Sequence, residues 1–403
     1  MSNPYAIGAL WLGLAFVAAL VSSRTGIAVA LVEIVVGAIA GNTFALSSTP
    51  AVDFLAGFGS ALLTFLAGAE IEPSVIRREW KQTLGIGFVS FLAPFVGALL
   101  FARFVIGWEW HAAEIAGVAL STTSVAVVYA VMVESGLNET WLGKVILAAC
   151  FVTDFGTVLA LGGLFANYNW YLLGFVAVMA VALPLAPRLV RLVIARAGGR
   201  VAEVEIKFVL FLMFFLGGVA AAGGSEPILP AYLVGMVLAG TFLRERALVA
   251  RLRSTAFSVL TPFYFLRAGT YIAASALVSG AGLIALLLGV KLVTKFAGIR
   301  PLTTFFRMPR REGMYTTLLM STGLTFGSIS ALFGLTHGII DRGQYTVLVT
   351  VVVLSAFVPT IIAQQVFRPK LEDHLEADRA AAARDTMSAR TATVADATAA
   401  RPG

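Results

Sequence analysis

The sequence predicts an all-α polytopic membrane protein of about 13 transmembrane helices, built as two inverted repeats of six, with two broken helices crossing at mid-membrane. Three observations carry that expectation. The 403 residues are 59% hydrophobic and only 13% charged, about half the charged share of a soluble domain. Apolar runs of near-spanning length recur from end to end. Two of those runs are interrupted by hydroxyl clusters at matching positions, Ser121-Thr122-Thr123-Ser124 and, 200 residues on, Ser321-Thr322-Gly323-Leu324-Thr325.

In order, the runs lie at about 5–23, 26–41, 52–69, 83–106, 112–133, 139–166 and 168–187, then 206–222, 227–243, 254–275, 278–299, 313–335 and 343–367. The second and eighth are short for a span. Taking connections alternately, one side collects Arg24, Arg77, Arg78, Lys81, Lys144, the group from Arg188 to Lys207, Arg244 to Arg253, and Arg300 to Arg311. The other side collects only Arg342. The positive-inside rule then puts the first side in the cytoplasm, the C-terminus inside and the N-terminus outside.

The formal charge of +7 is thus a loop distribution that fits a lipid bilayer and not a nucleic-acid patch. The single cysteine, Cys150, lies in an apolar run and excludes an intramolecular disulfide framework. Met1-Ser2-Asn3-Pro4 has no basic region, so the first run does not read as a cleaved signal. The tail from about Leu371 is Ala-rich and charged, and from Arg384 to Gly403 it reads as disordered.

A second echo supports the repeat. Phe65-Leu66-Ala67-Gly68 returns as Phe265-Leu266-Arg267-Ala268-Gly269 at the same offset. Six helices, a linker helix and six more give halves of opposite orientation. Interrupted segments at corresponding positions of such halves point to a transporter's midplane site.

Asp154 lies near the middle of the sixth run, in Thr153-Asp154-Phe155-Gly156-Thr157. A carboxylate at that depth costs roughly 2.5–3.5 kcal/mol on insertion scales and usually marks an ion or proton path. The alternative is a structural Asp capping an unwound turn. Beside it, Ser121, Thr122, Thr123, Ser124, Thr322 and Thr325 offer hydroxyl oxygens at the two breaks, unless they serve only helix packing. Thr153 and Thr157 flank the carboxylate. Lys295, with Lys291 one turn earlier in the eleventh run, is the cationic counterpart; it pairs with a carboxylate or snorkels to the interface. Glu33 is a further intramembrane acid, Glu70 and Glu72 close the third run, and Arg103 and Arg267 have no partner nameable from sequence.

Enzyme chemistry fares poorly. His111 and His337 fall in outer loops and His374 in the tail, so no membrane-embedded His serves a metal cluster or a Ser–His pair. An intramembrane aspartyl protease needs two facing carboxylates, and Asp154 is alone at depth. No cofactor is expected.

With these residues in view, the chain resembles the monovalent cation:proton antiporter-2 family, which includes NapA-type sodium/proton antiporters and Kef-type potassium/proton systems. The resemblance runs over nearly all of 5–367. Its most specific pieces are Ala119–Val128, Lys144–Leu161 with Thr153-Asp154, Phe65-Leu66-Ala67-Gly68-Ala69-Glu70, and Val293-Thr294-Lys295-Phe296-Ala297-Gly298. The resemblance implies a homodimer. Its dimerisation helices would be 1–3 (residues 1–75) and 8–10 (201–277). The mobile core would be helices 4–6 (76–166) and 11–13 (278–370), with linker helix 7 (167–200) and a cytoplasmic tail (371–403). It also implies an elevator-like movement that exposes Asp154 to each side in turn. Two departures stand out. Thr153 replaces the first of two adjacent aspartates found in electrogenic relatives, and Ser321–Thr325 stands where many relatives carry Pro-Arg-Gly-Glu.

Together these features predict sodium/proton exchange across the inner membrane, with Asp154 binding sodium (or potassium) or a proton, and one-for-one, electroneutral stoichiometry. Potassium/proton exchange is the near alternative. A cation channel would need a continuous polar pore, and an organic-solute symporter a roomier, aromatic-lined cavity.

Overall fold

A computed structural model of the chain describes residues 3–25, 27–44, 46, 48–69, 78–165, 170–199, 202–222 and 228–372. The described residues are nearly all helical and include no strand. The first half comprises α1 (Pro4–Thr25), α2 (Val29–Thr43), α3 (Pro50–Ala69), α4 (Trp80–Leu100, continued as a π turn to Ile106), α5 (Trp110–Ser121), α6 (Val125–Ser135) and α7 (Trp141–Leu164). A long helix, α8 (Trp170–Ala197), leads into the second half. That half holds α9 (Val204–Ala222), α10 (Ile228–Phe242), α11 (Arg246–Thr255), α12 (Thr261–Thr270), α13 (Ala274–Ser279), α14 (Ala281–Phe305), α15 (Arg310–Met320), α16 (Thr325–Thr336) and α17 (Arg342–Ile362).

Among the described residues, nine helical stretches are long and apolar enough to cross a membrane, and two more apolar helices, at 29–43 and 229–242, are shorter. The second run is short, as its sequence suggests. The eighth is not: it begins at Val204 and runs 19 residues. The fifth run, split into α5 and α6 of 12 and 11 residues, is not among the nine, whereas the twelfth, broken in the same way, is one of them at 310–336. The tenth is assembled from short α11, a π turn and α12, and its first piece carries Arg246, Arg251 and Arg253. Glu70, Glu72 and the tail beyond 372 lie outside the described residues.

Small residues set the tightest packing. α2 lies against α12, where a Cβ at Gly37 would collide with the Leu266 backbone and one at Gly269 with the backbone of Ile34 and Ala38. α3 lies against α10 in the same way, with Gly68 facing the Tyr232 carbonyl and Gly235 facing that of Phe65. Such close approach replaces the hydrophobic drive that lipid does not supply. One apolar cluster joins α3 with α8–α11, through Phe65, Met213, Val234 and Leu252. The larger one centres on α4–α7 and α14–α17, through Ile86, Val118, Ile146, Leu319 and Val349.

Candidate ion-exchange site

The site forms where the two broken segments meet. α5 stops at Ser121 and α6 starts at Val125; α15 stops at Met320 and α16 starts at Thr325. Backbone groups freed at such breaks need partners. Here the Ser124 N–H donates across the gap to the Thr322 carbonyl at 3.2 Å, and the Thr123 hydroxyl donates to the Met320 carbonyl at 2.9 Å. The other hydroxyls turn back on their own helix ends: Ser121 to the Val118 carbonyl (2.8 Å), Thr122 to Ala119 (3.1 Å), Ser321 to Thr317 (2.7 Å) and Thr322 to Leu319 (2.8 Å). Ser124 Oγ accepts from the Val127 N–H at 3.4 Å. Both breaks therefore seat hydroxyls as caps, and the sequence pattern marks the crossing itself.

α7 passes the crossing and carries Asp154, which is 1% exposed. Its Oδ1 accepts no hydrogen bond among the described residues. The carboxylate reaches a cavity of about 240 Å³, shared with Thr325, Phe326, Val125, Tyr129 and Arg253. Thr153, one residue earlier, points elsewhere, donating to the Gly87 carbonyl at 3.2 Å and to Ala149 at 3.0 Å. Thr157 bonds the Thr153 carbonyl at 3.0 Å. Of the hydroxyls read from sequence, Thr325 shares the carboxylate's cavity and the rest are engaged in structure.

Lys295 takes hydroxyl partners at the crossing. The Nζ donates to Ser90 Oγ at 2.8 Å and to Thr123 Oγ1 at 3.0 Å, with Ser90 and Thr123 themselves 3.4 Å apart. No ion pair joins it to Asp154 among the described residues, and with 0% exposure it does not snorkel. Mid-helix placement on α14 against α4 explains this: the side chain finds two hydroxyls before it can reach an interface. Lys291 is equally buried and reaches the Thr122 carbonyl at 3.5 Å.

Ser90 was not legible as a site residue; a lone serine in an apolar run carries no distinguishing pattern. Tyr232 was missed for the same reason. Its hydroxyl donates to the Phe151 carbonyl at 3.0 Å, and its ring lies against Phe155 and Phe326, beside the Asp154 cavity. Other charges resolve into separate settings. Arg267 Nε stands 2.6 Å from Asp53 Oδ1, a charge contact rather than a well-directed hydrogen bond. Arg103 donates to the Trp108 carbonyl at 2.9 Å and lies over Trp110. Glu33 is buried in α2, away from the Asp154 cavity.

Chemically, the site offers one buried carboxylate, a nearby hydroxyl and carbonyls freed by two helix breaks. No group of three His, Cys, Asp or Glu side chains is assembled among the described residues. Oxygen donors of this kind suit a hard cation or a proton. A helical membrane protein with a lone carboxylate beside two crossed, broken helices falls in the class of secondary ion transporters. Residues 12–368 match the family model described as "Sodium/hydrogen exchanger, transmembrane", and the chain belongs to that family.

Its relatives are antiporters, not enzymes. A probable Na(+)/H(+) antiporter 3 of Methanocaldococcus jannaschii is 26% identical over 78% of this chain and 84% of its own length. KefC of Enterobacter, a glutathione-regulated potassium-efflux system protein, is 27% identical over 88% of this chain but 59% of its own. Cation/H(+) antiporter 18 of Arabidopsis thaliana is 24% identical over 81% of this chain and 43% of its own, so the chain spans less than half of that relative. Among solved structures, the sodium proton antiporter MjNhaP1 of Methanocaldococcus jannaschii aligns over 90% of this chain and 98% of its own, with a TM-score of 0.67 at 14% identity. That likeness concerns the fold alone.

Proposed function

We propose that this chain exchanges sodium for protons across the inner membrane at Asp154. The observation that carries the reading is a buried carboxylate, one oxygen of which has no partner among the described residues, lining a cavity at the crossing of two broken helices. A carboxylate in such surroundings must be neutralised, either by a proton or by a dehydrated cation. The two cannot occupy it together, so binding one expels the other and the flows are coupled. Thr325 and carbonyls at the breaks supply the remaining oxygens for the cation. Family membership and the archaeal relative favour sodium; the KefC relative keeps potassium as the second reading.

The wider architecture follows the same proposal. Thirteen spans form two inverted repeats, with helices 1–3 and 8–10 as a dimerisation scaffold and 4–6 and 11–13 as a moving core. The reciprocal glycine contacts support this: the second span packs on the tenth through Gly37 and Gly269, and the third on the ninth through Gly68 and Gly235. A second cavity, of about 200 Å³, lies between α3, α12 and the far end of α16, lined by Ser60, Tyr264, Arg267 and His337. With the Asp154 cavity at the near end of α16, it supports an elevator movement that would expose the carboxylate to each membrane face in turn. The basic loops favour a cytoplasmic C-terminus.

The test is proton release from proteoliposomes on addition of lithium, sodium, potassium or rubidium. Uphill exchange with sodium is expected. Downhill cation flux without proton movement would make the protein a channel and overturn the reading.

A further inference from the structure

Tyr232 stands on α10 and is fully buried. Its backbone belongs to the α3–α10 crossing, where the Tyr232 carbonyl fills the space that a Cβ at Gly68 would need. Its side chain leaves that crossing and enters the opposite group of helices. The hydroxyl donates to the Phe151 carbonyl of α7 at 3.0 Å. The ring stacks on Phe155, at 6.1 Å and 20°, and meets Phe326 edge-on, at 6.0 Å and 79°. Phe155 follows Asp154 in sequence and Phe326 follows Thr325. One side chain of α10 thus touches the neighbours of both oxygen donors that share the site's cavity.

The folding of α7 does not call for this bond. Phe151 lies inside a 24-residue helix whose own ladder already engages its carbonyl. The bond satisfies the tyrosine, as a buried hydroxyl requires, and ties α10 to α7 one turn before the carboxylate. Other polar ties between the two groups of helices lie at the end of α12. Tyr345 of α17 donates to the Ala268 carbonyl at 2.7 Å, and Arg342 to those of Tyr271 and Thr270 at 3.0 and 3.1 Å. Those ties adjoin the place where the chain itself passes from α12 through α13 into α14, so the groups stay joined there in any arrangement. Tyr232 has no such connection beside it, since α8 and α9 separate α7 from α10 in the chain.

We propose that Tyr232 is a positioning residue that latches the exchange core in the arrangement seen here, with Asp154 on the cavity it shares with Val125, Tyr129 and Thr325. The latch rests on the elevator reading above, in which α7 and α16 move against α3 and α10. Such a shift carries the Phe151 carbonyl off the tyrosine hydroxyl, and Phe155 and Phe326 off its ring. The latched arrangement holds a hydrogen bond that a displaced core gives up. Tyr232→Phe removes that difference and keeps the ring.

Thiol accessibility reads the balance between arrangements without any transported ion. With Cys150 replaced by alanine, Ser60→Cys reports the cavity between α3, α12 and α16, and Ala67→Cys reports the Asp154 cavity. Each is labelled with a maleimide in the full-length protein, in unsealed membranes so that both faces are reached. Tyr232→Phe should raise the ratio of the labelling rate at position 60 to that at position 67 by about fivefold, the worth of one net hydrogen bond. Tyr345→Phe removes a buried bond of the same kind at the chain connection; it should lower Tm as Tyr232→Phe does and leave the ratio unchanged. A ratio unmoved by Tyr232→Phe, in a protein whose labelling does respond to sodium, overturns the latch and leaves the elevator standing. A ratio raised equally by both substitutions also overturns it, since loss of any buried bond would then loosen the boundary. A ratio fixed in every variant and with every cation, in a protein that exchanges nothing in proteoliposomes, overturns the proposed function and the latch together.

Discussion

Asp154 shows how far a single side chain constrains the molecule. Its Oδ1 is buried without a partner among the described residues, a condition that calls for an explanation such as a bound proton or cation. Asp154→Asn preserves shape and removes both the charge and the exchangeable proton, so exchange should fall to the level of empty vesicles while the thermal unfolding midpoint stays within a few degrees. Measured sodium/proton exchange at wild-type rate would end the proposal. Thr325 shares the carboxylate's cavity, and Thr325→Val removes one oxygen worth about 1 kcal/mol, or roughly fivefold in apparent KM for sodium. An unchanged KM would return Thr325 to helix packing. Ser90 is different in kind. As an acceptor for a buried ammonium, its loss in Ser90→Ala should destabilise the protein by about 1–3 kcal/mol, read as a lower Tm in detergent. The sequence showed Asp154 because a charge in an apolar run is conspicuous. It hid Ser90 and Tyr232 because a partner's identity depends on which helices touch.

At the scale of elements, the breaks were legible and their internal wiring was not. Runs of serine and threonine disclosed where α5 and α15 stop, since those residues cap helix ends. They did not disclose that most of the hydroxyls bond their own carbonyls, nor that Lys295 reaches Thr123 and Ser90 in place of Asp154. Snorkelling was a fair expectation for a lysine in the later half of its span, but α14 presents it to α4 and not to the interface. Glycine positions carry a sharper prediction. A methyl group at Gly37 or Gly235 meets the backbone of the facing helix, so Gly37→Ala and Gly235→Ala should each cost about 1–3 kcal/mol through overpacking. Gly289, on α14, has nothing within 4 Å of an added Cβ; Gly289→Ala should be neutral or stabilise by up to about 1 kcal/mol through helix propensity. Equal melting temperatures for all three variants would show that the tight crossings contribute nothing specific.

For the whole molecule, the question the site poses is how much charge each cycle moves. Thr153 cannot ionise, and its hydroxyl is committed to the Gly87 and Ala149 carbonyls. Asp154 is the one carboxylate lining its cavity among the described residues. Lys295 is completely buried and is not a hydrated, interfacial lysine. Lys295 is held by Ser90 and Thr123 and forms no ion pair with Asp154 among the described residues. On the proposed function a cation arriving at Asp154 would then displace no ammonium, one proton would leave for each cation that binds, and the loaded core would carry the same charge in both directions. Exchange measured in proteoliposomes should proceed at the same rate with and without a potassium diffusion potential set by valinomycin, using sodium as the transported ion. Acceleration by a potential of either sign, or a transient current on a supported membrane, would mean that a second proton travels. Repeating the measurement with Lys295→Gln would then identify its carrier: a potential dependence lost in that variant assigns the proton to the lysine, and one retained points to another group.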